Sequence, residues 1–316
     1  MIDYENNPNY LNSFINYSIN IQNKSLNSVS EYYYDICNML KYMKIHYKIV
    51  SEKDFNKITI KDVSIRLLRK IQLNDLYDYL TFLCDEKHLK PITRARKCSS
   101  VRIFFKYLYE ILKVIKYNPA NNLQKPKIEK REAVYLSFNE CVSLIKTVKN
   151  CKNRNKKRNY AIIIVFLNCG IRLSELTKIN ISDIDFIDNK IRIIGKGNKE
   201  RIIYLNNACI NAINAYKEDR TEGALFLSER KNRISRREVQ YIIKNEFRNA
   251  GLSEKYTVHK LRHTCATIMY QYGHVDIRLL QKILGHENIT TTEIYTHVTD
   301  FQMQQAMNNN PLARIR

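Results

Sequence analysis

Six residues in the second half of the chain are of types that handle phosphate esters. Arg172 sits in CGIRLSEL, Lys196 in IGKGNKERIIYL, His259 and Arg262 in HKLRHTCAT, and His286 and Tyr295 in LGHENITTTEIYTHV. Cutting and rejoining a phosphodiester without metal needs a nucleophile that stores the bond energy in a covalent intermediate. It also needs cationic donors for the non-bridging oxygens as charge builds on them, and an acid to protonate the departing oxygen. One phenol, two guanidiniums, one ammonium and two imidazoles could fill those roles.

Each residue also has an ordinary reading. Arg172 follows Gly170 just past an apolar run, so its guanidinium could grip two phosphate oxygens or pair with Glu175 three residues on. Lys196 stands between Gly195 and Gly197 at a hairpin tip, where flanking glycines permit tight turning. A lysine there could deliver a proton to a leaving 5′ oxygen, or be a plain turn residue. His259 and Arg262 share a helical face at i, i+3, close to a helix start that favours anions. His263 lies at i+4 from His259, but the zinc-protease pattern HExxH is absent, so no metal is expected. His286 alone reads as a capping or packing residue. Tyr295 is one of 22 tyrosines, and a phenol that ionises near pH 10 needs cations or a proton relay to act.

The elements that must hold these residues are mostly helical. Ser137 and Glu140 form a capping box, residues 160–169 read as a buried helix, and Gly170 stops it. Residues 190–194 and 201–205 are β-type runs around Gly195-Lys196-Gly197-Asn198, a hairpin pattern. Ser235 and Glu238 open a further helix that Gly251 closes. Short helices follow from about Thr257, over 276–284 with Gly285 as the stop, and from near Thr290. In the first part, Ser28 and Glu31 suggest a capped helix to about Met43, with further helices over 75–85 and 93–114. Val101, Phe104, Phe105, Leu108 and Ile111 form one apolar stripe on the last.

Charge indicates the partner. The 316 residues carry 53 Lys and Arg against 31 Asp and Glu, a net +22 that points to a polyanion. Between Lys87 and Lys116 nine cations face one acid, Glu110. Such a run is either a solvated helix face or a phosphate-facing surface. Lys87, Lys90, Arg94, Arg96, Lys97 and Arg102 are its candidate DNA contacts, joined by Lys125 and Lys127 in the basic stretch after Asn118-Pro119. The segment 141–160 adds seven cations and no acid. No run of 18 apolar residues exists, which sets aside a transmembrane helix. The N-terminal MIDYENNPNY lacks a secretory pattern. Eight scattered cysteines without a CxxC pair suit reduced thiols and a cytoplasmic setting.

The four motifs, in this order, resemble the tyrosine recombinase (phage integrase) family, and within it the Xer-like simple recombinases. The likeness covers about residues 119–300. It implies a mainly α fold with a small β component: a helical core-binding domain over 1–118, a linker over 119–133, and a mixed α/β catalytic domain over 134–316. The segment from about 300 to 316 resembles the family's exchange segment. The resemblance implies that Tyr295 attacks the scissile phosphate to give a 3′-phosphotyrosyl link. Arg172 and Arg262 neutralise the transition state, Lys196 protonates the 5′ oxygen, His259 assists proton transfer and His286 hydrogen-bonds the phosphate. It implies no cofactor, a duplex with paired inverted half-sites, a tetramer of this chain and a Holliday junction, and it leaves open a partner recombinase or accessory activator.

Two alternatives compete. A DNA-binding accessory protein would keep the fold without the chemistry, and the presence of all six side chains speaks against it. A type IB topoisomerase would share the chemistry without strand exchange; the basic helical first part and the Xer-like hairpin speak against that. The charge run carries a prediction. Affinity for duplex DNA is expected to fall steeply with ionic strength, with a log–log slope of about −0.9 per phosphate neutralised. A salt titration followed by fluorescence anisotropy measures this, and a flat response would remove the role of the 87–116 segment.

Overall fold

The structure, a computed structural model, describes residues 2–51, 54–128, 134–195, 199–285 and 292. The chain divides into two compact units, Met1–Arg131 and Glu132–Arg316. The architecture is mostly helical with one small antiparallel sheet, as expected.

The first unit contains α1 (Asn9–Asn16), a π-helical turn (Tyr17–Ile21), α2 (Leu26–His46), α3 (Ile65–Lys70), α4 (Leu73–Asp85), α5 (Pro91–Lys106) and a second π-helical turn (Tyr107–Ile111). Ser25, not Ser28, caps α2: its side chain accepts from the Ser28 N–H, so the helix starts a turn earlier than the sequence suggested. Gln72 and Asp75 form the box that opens α4, and Pro91 suits the first turn of α5. Val101, Phe104, Phe105 and Leu108 are buried as the stripe requires, but Ile111 is 51 % exposed. The π-helical turn inserts one extra residue per turn, and the 3.6-residue register ends there. Phe14 meets Phe104 edge-on at 5.4 Å in this core. Ala120 and Leu123, within the stretch expected as linker, are also buried in it.

A buried carboxylate ties α2 to α5. Asp35, 1 % exposed, accepts two hydrogen bonds from Arg96 at 2.6 and 3.0 Å, one from Lys97 at 2.8 Å and one from Ser100 at 2.7 Å. Lys44 is used the same way, buried with its ammonium 2.7 Å from Asp62 and 3.0 Å from the Thr59 carbonyl.

The second unit is built around α7 (Lys156–Cys169), whose residues from Ala161 to Phe166 are all buried. Around it pack α6 (Phe138–Asn150), α9 (Asn207–Lys217), α10 (Arg236–Asn249) and α11 (Val258–Gln271). The short α8 (Leu173–Leu176) follows α7, and α12 (Ile277–Leu284) follows α11. Strands β1 (Ile184–Asp185), β2 (Lys190–Ile194) and β3 (Glu200–Tyr204) form an antiparallel sheet in the order β1-β2-β3. Ile191 and Ile193 point inward, and Ile193 stands opposite Arg201. The Ser137–Glu140 box and the Ser235 cap are present as read. Gly170 and Gly285 end α7 and α12 in the left-handed region, at φ +56° and +66°. The sequence reading gave no α1, α3, α9 or β1, and the helix expected near Thr290 lies outside the described residues. All eight cysteines are thiols, six of them buried. Among the described residues no helix is long and apolar enough to cross a membrane.

Removing the Asp35 carboxylate would leave the buried Lys97 ammonium without its counter-charge. Asp35→Ala is therefore expected to destabilise the chain by about 3–5 kcal/mol, read as a lower urea midpoint. An unchanged midpoint would mean that Asp35 is not the tie between α2 and α5.

Candidate catalytic site

The site forms where the carbonyl ends of α7 and α12 meet. The last carbonyls of a helix lack intrahelical donors and carry partial negative charge, which suits a guanidinium. Arg262 on α11, 2 % exposed, supplies one. Its Nη1 donates to the Gly170 carbonyl and its Nη2 to the Leu284 carbonyl, both at 2.7 Å. Arg172 approaches the same turn from the start of α8, its Nη2 donating to the Gly285 carbonyl at 3.1 Å. Two arginines 90 positions apart in the chain thus bond adjacent carbonyls of one turn. The Arg172 side chain is 37 % exposed.

Glu175, 3 % exposed, anchors Arg172. It accepts from the Arg172 backbone N–H at 2.7 Å and from Nη1 at 2.9 Å, the pairing that the sequence had left open. Arg201 on β3 adds a fork onto the same carboxylate, at 3.0 Å to Oε1 and 2.8 Å to Oε2. Burial pushes the Glu175 pKa up, but bonds from Arg201 and Arg172 outweigh it and hold the group ionised, below the usual carboxylate value.

His259 stands exposed on the first turn of α11. Its ring meets that of His263 in a T-shape, with centroids 4.6 Å apart. Partial desolvation, then the charges of Arg262, Lys260 and Arg172, lower its pKa, so at neutral pH it is a neutral imidazole able to accept a proton. His263 is pushed further, to about 4, by desolvation and by His259, Lys260 and Arg262.

Of the six expected catalytic residues, Arg172, His259 and Arg262 are thus brought together. Lys196, His286 and Tyr295 lie outside the described residues, but the chain enters two of those segments from this site. A Cβ built on Gly195 would lie 3.6 Å from Glu175 Oε1, and Gly285, which directly precedes His286, has its carbonyl on Arg172.

The expected DNA-contacting residues of the first unit separate into groups. Arg102 and Lys125 line one groove of about 360 Å³ together with Lys106. Lys90 and Lys127 are exposed and Arg94 half-buried. Lys87 is exposed with its ammonium over the rings of Phe55 and Phe82, at 4.8 and 5.4 Å. Lys97 corrects the reading: it is buried and committed to Asp35, so it presents no charge to solvent. Arg96 is 42 % exposed but shared between Glu31 and Asp35. Both read as surface cations only because their acids lie some 60 residues away. In the second unit, Arg154 and Lys156 belong to the acid-free 141–160 run and Arg236 and Arg237 begin α10; all four are exposed. The ends of those two segments flank a polar groove of about 700 Å³ lined by Asn155, Arg158, Arg230 and Glu246, among others. Composition marked the first run, but no motif marked the groove. Among the described residues only His46, Asp75 and Asp78 have metal-ligand spacing, and Asp75 is already held by His46, Tyr47 and the Gln72 N–H.

Comparison with known proteins gives a consistent picture. The model of the phage integrase family matches residues 134–302. The chain is 46 % identical to the tyrosine recombinase XerC of Caldanaerobacter subterraneus subsp. tengcongensis, over 97 % of this chain and 88 % of that protein. It is 34 % identical to XerC of Pelobacter propionicus, over 81 % and 82 %, and 30 % identical to XerD of Oceanobacillus iheyensis, over 88 % and 90 %. Among solved structures, a XerH site-specific recombinase bound to difH substrate has the same fold, with TM-score 0.65 at 20 % identity over 98 % of both chains. A lambda integrase dimer bound to a core site gives TM-score 0.63 at 16 % identity, over 89 % and 95 %.

The lowered imidazoles set a pH dependence. Between the ordinary histidine value near 6.5 and about 4, the unfolded chain binds a proton that folded His263 refuses, so stability falls as pH falls through that window. The slope from one such group is at most about 1.4 kcal/mol per pH unit. His263→Asn is expected to flatten the drop in urea midpoint between pH 7 and pH 5, leaving the smaller contribution of His259. An equally steep drop in the variant would contradict the assignment.

Proposed function

The chain belongs to the phage integrase family of tyrosine recombinases, and on that premise we propose how its residues cut and rejoin DNA. It is a site-specific DNA recombinase. Tyr295 is the nucleophile: its phenolic oxygen attacks the scissile phosphorus, the bond to the 5′ oxygen breaks, and a 3′-phosphotyrosyl ester and a 5′ hydroxyl result. Arg172 and Arg262 carry the charge that builds on the non-bridging oxygens. Lys196 gives a proton to the departing 5′ oxygen, and His259, neutral before attack, accepts one from the phenol. His286 hydrogen-bonds the phosphate. Attack by the 5′ hydroxyl of the exchanged strand reverses the step and releases Tyr295. Side-chain cations supply the charge and the ester keeps the bond energy, so this scheme calls for neither metal nor nucleotide.

The single observation that carries the proposal is the pair of guanidiniums on adjacent carbonyls, Arg262 on Leu284 and Arg172 on Gly285, with His259 inside their field. That arrangement suits an anion with two oxygens to be gripped, and the α12 turn leads directly into the segment that holds His286 and Tyr295. The substrate is a duplex with paired inverted half-sites. Four copies of the chain, linked through the segment from about 300 to 316, exchange strands through a Holliday junction, alone or with a partner recombinase or accessory activator.

The test begins with genomic fragments that the protein binds and cleaves, from which a duplex nicked beside the cut site is made. Wild type is expected to trap a covalent protein–DNA adduct on it, and Tyr295→Phe none. Arg172→Ala is expected to slow adduct formation by about 10²–10³-fold, the scale for loss of one transition-state donor, with DNA affinity nearly unchanged. Equal trapping by Tyr295→Phe would remove that nucleophile. Relaxation of supercoils that lack any such site would favour a type IB topoisomerase.

A further inference from the structure

Arg201 lies in the hairpin motif IGKGNKERIIYL, four residues before its final Leu205, and the catalytic scheme gives it no role. Its side chain is 13 % exposed. Two nitrogens fork onto Glu175 at 3.0 and 2.8 Å, and Nε donates to the Ile283 carbonyl at 3.1 Å. Gly285 packs on its stem so closely that an added Cβ would lie 3.0 Å from the Arg201 Cδ. One side chain therefore joins β3, α8 and the end of α12. Those elements adjoin the segments that hold Lys196, Arg172 and His286.

The charge count gives Arg201 its use. A carboxylate has about four lone-pair sites. On Glu175 they meet four donors: two from the Arg201 fork, the Arg172 Nη1 and the Arg172 backbone N–H. Because Arg201 takes a site on each oxygen, Arg172 spends only one guanidinium nitrogen on Glu175 and turns the other to the Gly285 carbonyl. Without Arg201, a buried carboxylate would have two empty sites and one cation in reach. A bidentate pair is the strongest arrangement open to Arg172 and Glu175, and forming it would swing Arg172 off the α12 turn and cancel its charge.

We propose that Arg201 is a positioning residue that neutralises Glu175 and so keeps the Arg172 guanidinium aimed at the scissile phosphate. This rests on the proposal that Arg172 grips that phosphate. Arg201 touches no reacting atom.

The test is a double-mutant cycle on the full chain, with the nicked duplex that wild type traps as probe. Adduct formation by wild type is the control: its absence would overturn the catalytic reading itself, whereas its presence isolates Arg201. Arg201→Gln is expected to slow single-turnover cleavage by about 100-fold with DNA affinity within about threefold, the mark of an interaction made in the transition state. In the Glu175→Gln background, where no carboxylate competes for Arg172, the same Arg201→Gln change is expected to cost less than about tenfold, a non-additivity that reports coupling. A cleavage rate for Arg201→Gln close to wild type would overturn the inference. So would an equal loss in both backgrounds, which would make Arg201 independent of Glu175. If Arg201→Gln alone does not fold, Arg201→Lys, which keeps a cation beside Glu175 but loses the fork, replaces it in both backgrounds: a slowing that Glu175→Gln removes supports the inference, and an equal slowing in both, or none in either, overturns it.

Discussion

Where α7 and α12 end, four backbone carbonyls converge on three arginines. Gly170, Ile283, Leu284 and Gly285 provide the acceptors, and Arg262, Arg201 and Arg172 the donors. Helix ends need partners for their last carbonyls and guanidiniums need acceptors, so each meets the other's requirement. Three guanidiniums are thereby held side by side on backbone acceptors. Among the described residues Glu175 is the carboxylate that pairs with Arg172 and Arg201. These guanidiniums, held on rigid elements, are the feature a phosphate diester can use.

Buried charge also ties the first unit together. Asp35 is one carboxylate with two cations and a hydroxyl on it, and Lys44 is one cation with its own acid. These ties fix α2 against α5 and Lys44 against Asp62. Some of the basic residues behind the net charge of +22 therefore work inside the fold, together with buried acids.

Much of this was legible in the sequence, for identifiable reasons. Caps at Ser137, Ser235 and Asp276 and stops at Gly170 and Gly285 are local chemistry, so they located α6, α10, α12 and the end of α7. The hairpin strands were legible from β-type residues around a glycine-rich turn. The short α3 buries only Leu67 and Leu68, too little to mark a stripe. Ile111 was misjudged because a π-helical turn leaves no trace in a 3.6-residue count. Lys97 was misjudged because its counter-ion is 62 positions away. Arg172, His259 and Arg262 stood out by motif. Arg201 stood in a recognised motif too, but its partners come from α8 and α12, and only the tertiary arrangement brings them within reach.

The glycines that end α7 and α12 have a consequence for how this chain can change. At Gly170 a methyl group would meet Leu284 Cδ2 at 2.7 Å, and at Gly285 it would press on the Arg201 stem, in both cases on a backbone whose dihedrals disfavour any L side chain. A single added carbon at either place would shift the oxygens on which Arg262 or Arg172 rests. Two of the strictest steric demands at this centre thus fall on residues with no side chain at all. Alanine, the mildest of exchanges elsewhere in the protein, is among the harshest there.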